Sequence, residues 1–215
     1  EFFTRLSGLS TKEVLMRLQE AGLESLTGGG AEILSDQYRE KMKVEKANVD
    51  QYLDVHRTAH QLGMKTPTTM LYGSIESYED RVRHMLQIRD LQDETGGFQV
   101  FIPLSMQPRN KNASIMRRNS AFEDLKAIAI SRLMLDNIQH IKAYFINIGV
   151  QLTQVALAFG ASDVHGTILK EQISHAAGAQ TPEGLTLKEL IWLVKGAGRI
   201  PVERDTFYNE LKVYE

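Results

Sequence analysis

Four short apolar runs, each followed by a segment with helical spacing, constrain this chain more than any other feature. The runs begin near Leu23, Pro67, Phe98 and His140. They lie roughly 30 to 45 residues apart, the spacing of βαβ units. Parallel neighbours need a crossover long enough to hold a helix, so the rhythm predicts an α/β fold. The runs show little polar alternation, as expected of strands covered on both faces. A doubly wound sheet and a (β/α) barrel both fit.

The spacing predicts strands over 23–27, 67–72, 98–102 and 140–148. Ser10 with Glu13 has capping-box spacing and opens a helix carrying Val14, Leu15, Leu18 and Ala21. Further helices are predicted from about Asn48 to Leu62, from Ser77 to Gly96, from Phe122 to Leu135 and from Val150 to Phe159. Two more run over about 167–176 and 187–194. The tail after Pro201 reads as irregular. Pro103 to Asn119 is a long polar connection containing the basic stretch Arg109 to Arg118, which offers an interaction surface as an alternative use of the fold.

Charge and cysteine content narrow the function classes. Lys+Arg number 25 and Asp+Glu 27, a formal charge of −2, which does not suit phosphate-driven nucleic-acid binding. No apolar run approaches the roughly 18 residues that a membrane span needs. The opening residues do not read as a signal peptide, so the cytoplasm is the expected location. Cysteine is absent, which excludes disulfides, a thiolate nucleophile and thiolate-held metal or iron–sulfur sites within these residues.

In either α/β architecture, ligands gather at the C-terminal ends of strands. Gly28-Gly29-Gly30-Ala31-Glu32 follows the first run, and its peptide N–H groups can receive an anion or hydroxyls, although a tight turn would look the same. Used as a phosphate cradle with Glu76 as base, it would make a different barrel enzyme. Thr69 to Glu76 is a strand leading into Gly73, with Glu76 able to hold an amine or hydroxyl, or simply to sit at a helix start. His56 and His60 have the i,i+4 spacing of a metal pair, but no His-Glu-x-x-His pattern is present and no metal site is expected. His165 beside the Gly-Ala-Ser-Asp turn is a weaker candidate. Arg132 with Asp136 is either a surface ion pair or a guanidinium aimed at a substrate carboxylate.

Several blocks taken in order resemble a known family. They are 21–33 around Gly28-Gly29-Gly30-Ala31-Glu32, His56-Arg57-Thr58-Ala59-His60-Gln61-Leu62-Gly63, Thr69-Met70-Leu71-Tyr72-Gly73 with Glu76, 91–98, Phe101-Ile102-Pro103-Leu104, 131–137 and Pro201-Val202-Glu203-Arg204-Asp205-Thr206. Together they resemble the radical S-adenosylmethionine (SAM) enzymes of the futalosine route to menaquinone. The Val202-Glu203-Arg204-Asp205-Thr206 run favours the synthase branch over the dehypoxanthine futalosine cyclase branch.

The resemblance implies the C-terminal portion of a radical-SAM (β/α) barrel of TIM type with extra C-terminal helices. Residues 1–178 would be the barrel from its fourth strand onward, and 179–215 a helical extension and tail. The family's Cys-x3-Cys-x2-Cys loop for a [4Fe–4S] cluster would lie outside these residues, so this piece alone is expected to be inactive. The implied reaction adds a 5′-deoxyadenosyl radical to 3-[(1-carboxyvinyl)oxy]benzoate and yields 6-amino-6-deoxyfutalosine. For SAM, the resemblance assigns Gly28, Gly29, Gly30, Glu32, Thr69, Leu71, Gly73 and Glu76, with Thr69 and Ser74 departing from the family pattern. Because the substrate carries two carboxylates, Arg132, Asn147 and Gln151 are its expected donors. No catalytic residue is assigned. A small molecule is the expected partner, together with a second copy of the chain through an open sheet edge at Leu23–Thr27.

Overall fold

A computed structural model of the chain describes residues 2–43, 46–107, 119–168 and 171–215. The basic stretch Arg109 to Arg118 therefore lies outside the described residues. In chain order the elements are α1 (Phe2–Ser7), α2 (Thr11–Glu20), α3 (Asp36–Lys41), α4 (Val49–Gln61), β1 (Thr66–Tyr72), α5 (Tyr78–Thr95) and β2 (Phe98–Ser105). They continue with α6 (Ala121–Met134), β3 (His140–Ile141), α7 (Phe145–Ile148), α8 (Val150–Ala156), α9 (Ile173–Ala176), α10 (Leu187–Gly196), β4 (Val202–Arg204) and β5 (Glu210–Val213). No described helix is long and apolar enough to cross a membrane.

One sheet has the order β1-β2-β3 and a second pairs β4 with β5. The Thr66 amide donates to the Gly97 carbonyl where β1 and β2 begin, and the Met106 amide donates to Tyr72 where they end. Start meets start and end meets end, so the pair is parallel, with α5 as its crossover. The chain divides into two compact units. The first is Glu1–Met70, Ile75–Phe101 and Asn137–Gln139; the second is Leu71–Ser74, Ile102–Asp136 and His140–Glu215.

In the first unit the Ser10–Glu13 cap forms as the sequence predicts, and two more helices are capped in the same way. Ser10 and Glu13 make a reciprocal capping box on α2, as do Asn48 and Gln51 on α4 and Ser77 and Asp80 on α5. Leu15, Ala59 and Met64 form a buried cluster against which Leu23, Leu26 and Leu62 pack. The expected strand over 23–27 is not one: the segment is extended coil. Its ties to the neighbouring chain run through side chains instead of a ladder. Ser25 Oγ donates to the Lys65 carbonyl at 2.6 Å, and the Gly28 carbonyl accepts from Tyr52 and Thr69. The open sheet edge expected there is therefore absent.

His56 and His60 are used up in packing. His56 Nδ1 and His60 Nε2 both meet Thr66 Oγ1, at 2.9 and 2.8 Å, and His60 Nδ1 meets Thr95 Oγ1 at 2.7 Å. Both rings lie against Phe98 at the start of β2. This is the end of the strands opposite to the one where barrel ligands gather.

In the second unit Tyr72 donates to Asp124 Oδ1 at 2.8 Å, joining the end of β1 to the first turn of α6, with both residues buried. The strand expected over 140–148 shrinks to His140–Ile141. The chain turns into α7 at Phe145, whose side chain is wholly buried, and Gly149 closes that turn with a positive φ. Of the helix expected over 167–176, the described residues show Ile173–Ala176 as helical. The tail after Pro201, expected to be irregular, forms an antiparallel hairpin pairing Val202 with Val213 and Glu203 with Lys212. Its strands are short and mostly exposed, so they carry no apolar alternation to read.

Burial pushes the pKa of His56 and of His84 down to about 3. The unfolded chain therefore binds more protons than the folded one below about pH 6.5, and stability falls as pH falls from there toward 3. Each of these two histidines should cost on the order of 2 kcal/mol between pH 6.5 and 5. Thermal unfolding midpoints measured from pH 7.5 to 5 should drop; a flat profile would contradict the neutral, buried assignment.

Candidate functional site

The glycine segment of the first unit is held by buried side chains. An added Cβ at Gly28 would lie 2.7 Å from the Pro67 carbonyl oxygen and 2.8 Å from Thr68 Cα. The missing side chain of Gly28 thus admits the β1 backbone. Tyr52 donates its hydroxyl to the Gly28 carbonyl at 2.9 Å and Thr69 donates to it at 2.7 Å. Burial raises the Tyr52 pKa to about 12, so the phenol keeps the proton this bond requires.

Beyond Gly28, Arg39 lies 5% exposed and donates to the Ala31 carbonyl at 2.7 Å, to Gly30 and to Ala47. The Leu34 amide donates to Nδ1 of His84, which is fully buried and held neutral. Between these anchors Glu32 adopts a left-handed φ of 49°, a conformation that persists where surroundings over-determine it. Its carboxylate pairs with Lys46.

Gly29, Gly30, Lys46, Tyr52 and Leu26 are among the residues lining an open cavity of about 830 Å³. An added Cβ at Gly29 would meet nothing within 4 Å. The cavity offers peptide groups, an apolar wall and two cations, Arg5 and Lys46, the second bonded to the Glu32 carboxylate.

The remaining expected cofactor residues fall as follows. Thr69 is buried and its hydroxyl is committed to Gly28. Leu71 is half-buried near the end of β1. Gly73 has φ of 96°, and Asn119 fills the space beside it, donating to Ser105 Oγ at 2.9 Å. Glu76 has a fully buried carboxylate, paired with Arg81 at 2.8 Å just ahead of α5.

Of the expected substrate donors, Arg132 directs its guanidinium to the Gly160 carbonyl at 2.9 Å and to Ser162 Oγ at 3.1 Å. Asn147 is buried in α7, donates to the Ser105 carbonyl at 3.0 Å, and leaves Oδ1 without a partner among the described residues. Gln151 is exposed on α8.

A charged cluster in the second unit escaped the sequence reading. Lys142 follows β3 and pairs by an isolated parallel bridge with Asp163. Lys142 Nζ lies 3.1 Å from Asp163 Oδ2 and 3.0 Å from His165 Nδ1. Arg204 donates to both Asp163 oxygens, and Tyr208 donates to Oδ2 at 2.7 Å. Burial, with the charges of Lys142 and Arg204, lowers the His165 pKa to about 4. Asp163 and His165 stood together at the Gly-Ala-Ser-Asp turn, and Arg204 in the run after Pro201, but nothing local joins them to Lys142 or Tyr208.

The parallel strands, their helical crossover and polar groups at the strand ends define an α/β barrel-type chain. The fold is similar to that of methylornithine synthase (PylB), with a TM-score of 0.64 and 17% identity, covering 87% of this chain and 54% of that one. A family model, the CofH/MqnC C-terminal region, matches residues 95–215. The chain belongs to the CofH/MqnC family. It is 46% identical over 217 residues to the aminodeoxyfutalosine synthase of Thermus thermophilus and 44% identical over 224 residues to that of Streptomyces coelicolor. In each case 99% of this chain is covered, and the chain spans 58% of the relative's length. It is also 42% identical to a 5-amino-6-(D-ribitylamino)uracil–L-tyrosine 4-hydroxyphenyl transferase of Methanosarcina mazei, over 96% of this chain and 56% of that protein.

Replacing Gly28 with Ala should destabilise the protein by about 1–3 kcal/mol, because the obstruction is backbone. Gly29→Ala should stay within about 0.5 kcal/mol. Chemical denaturation of the two variants checks the contrast, and equal stabilities would refute the close approach at Gly28.

Proposed function

We propose that this chain is the C-terminal part of an aminodeoxyfutalosine synthase, a radical SAM enzyme of menaquinone biosynthesis. The observation that carries the reading is the 46% identity with the Thermus synthase across 99% of this chain. In the proposed protein, bound SAM would supply a 5′-deoxyadenosyl radical for addition to 3-[(1-carboxyvinyl)oxy]benzoate, the overall product being 6-amino-6-deoxyfutalosine. This chain has no cysteine, so its residues do not fit a thiolate-held [4Fe–4S] cluster, and the proposal assigns those ligands to another part of the protein.

The chain's own residues do the positioning. Gly29, Gly30 and Glu32 are read as the seat of the SAM ribose, with Glu32 accepting from hydroxyls. Gly28 and Thr69 hold that seat to β1. Leu71 at the strand end is read as packing on the adenine, beside the turn at Gly73, and Glu76 as a polar contact relayed with Arg81. Arg132, Asn147 and Gln151 are read as substrate contacts; Gln151 is exposed, whereas Arg132 and Asn147 already donate to protein carbonyls. Small molecules are the expected partners and the cytoplasm the expected setting.

The test uses the full-length protein, loaded with its cluster under anaerobic conditions. With SAM, reductant and the enol ether it should form 6-amino-6-deoxyfutalosine, seen by mass spectrometry. Glu32→Gln should raise KM for SAM about tenfold, the worth of one charge-assisted hydrogen bond. SAM cleavage without this product, but with turnover of dehypoxanthine futalosine or of tyrosine with the ribityl uracil, would move the protein to another branch of the family.

A further inference from the structure

The cluster around Asp163 is unbalanced in a way that a purely structural network need not be. Asp163 accepts five hydrogen bonds from four groups: the His165 amide, Arg204 at both oxygens, Lys142 and Tyr208. Its carboxylate is saturated. Within hydrogen-bond reach the Asp163 carboxylate serves both Lys142 and Arg204, Arg204 also feels the Asp205 carboxylate, and the Lys142 side chain is only 6% exposed. An ammonium has three N–H donors. Two of those on Lys142 point at Asp163 and His165, and the third has no partner among the described residues.

Anchoring the hairpin explains part of this arrangement. Arg204 and Tyr208, which come from the hairpin, would hold Asp163 without Lys142, and Tyr208 also stacks on His140 at 4.3 Å. Burying a second cation there adds desolvation cost with no carboxylate of its own. His165 does not compensate, because its ring accepts from Lys142 and is neutral. His140 is pushed down by burial and by the same cations. Lys142 and Asp163 also follow or flank the C-terminal end of β3, the end at which barrel ligands gather.

We propose that Lys142, set by Asp163 and His165 and backed by Arg204, is a docking point for a carboxylate of the enzyme's small-molecule substrate. A single open ammonium donor suits one carboxylate oxygen better than the several oxygens of a doubly charged phosphate. The identity of the acid rests on the synthase reading above; the carboxylate chemistry does not. Arg204 belongs to the hairpin, so the hairpin contributes to the charge that the ligand meets.

The test uses cluster-loaded full-length enzyme. Calorimetry with 3-hydroxybenzoate and with its neutral counterpart 3-hydroxybenzyl alcohol should show the acid bound at least about tenfold more tightly by the wild type. Lys142→Met should remove most of that preference and Lys142→Arg restore much of it. In turnover, Lys142→Met should raise KM for the enol ether about 10- to 100-fold while KM for SAM stays within about twofold. A purely structural Lys142 would lower the unfolding midpoint and leave the acid-over-alcohol preference intact, which would overturn the proposal. Equal binding of acid and alcohol by the wild type would overturn it without any variant. A rise in KM for SAM alone would reassign the site to the methionine carboxylate and overturn the substrate assignment. Loss of the synthase reading shows separately, as wild-type enzyme that binds 3-hydroxybenzoate through Lys142 but makes no 6-amino-6-deoxyfutalosine.

Discussion

The contact between Gly28 and the backbone of Pro67 and Thr68 sets the geometry of the first unit. A Cβ at Gly28 would sit within 3 Å of three backbone atoms of β1, so the segment can lie there only because the side chain is missing. That approach brings the Gly28 carbonyl within reach of Tyr52 from α4 and Thr69 from β1. The segment then needs no ladder of its own. Its polar backbone is answered by side chains, which satisfies the rule that buried carbonyls find partners while leaving the peptides of Gly29 and Gly30 facing the cavity.

The same logic explains the buried Arg39 and His84. Each is a polar group in an apolar setting, and burial lowers the pKa of both. His84 responds by staying neutral and accepting from the Leu34 amide. Arg39 stays charged and spreads its donors over three carbonyls. Neither touches the cavity described here. Their effect is to fix Glu32 in a left-handed conformation that only a constrained loop would hold.

The parts legible in the sequence were those specified by neighbours in the chain. The Ser10–Glu13 and Ser77–Asp80 caps lie three residues apart, and both helices begin where those pairs stand. The β1–α5–β2 unit was readable because long apolar strands and a capped helix alternate. The segment over 23–27 looked like a strand because Leu23 and Leu26 are apolar, yet those residues are bound to the helix cluster at Leu15 and Ala59. Apolar character marked burial there, not pairing. The exposed hairpin failed for the opposite reason: its strands bury almost nothing, and its turn is built by Asp205 accepting from the Phe207 and Asn209 amides. Of the candidate site, the glycine segment was readable as a turn, but the roles of Arg39 and Tyr52 in holding it depend on contacts between distant residues.

The Asp163 cluster shows how charge gathers where no local pattern announces it. Lys142, Asp163 and Arg204 come from three separate segments, and Asp163 is held ionised by its neighbours although burial alone would raise its pKa. Lys142 is lowered too, first by burial and then by Arg204, against the pull of Asp163. The carboxylate gains from both cations, whereas each cation has only a share of the carboxylate. A buried network with that asymmetry has more attraction to give than its own members can use. A bound anion would complete Lys142's third hydrogen bond, which is why the saturation of Asp163, and not the presence of lysine alone, is the informative feature of this strand end.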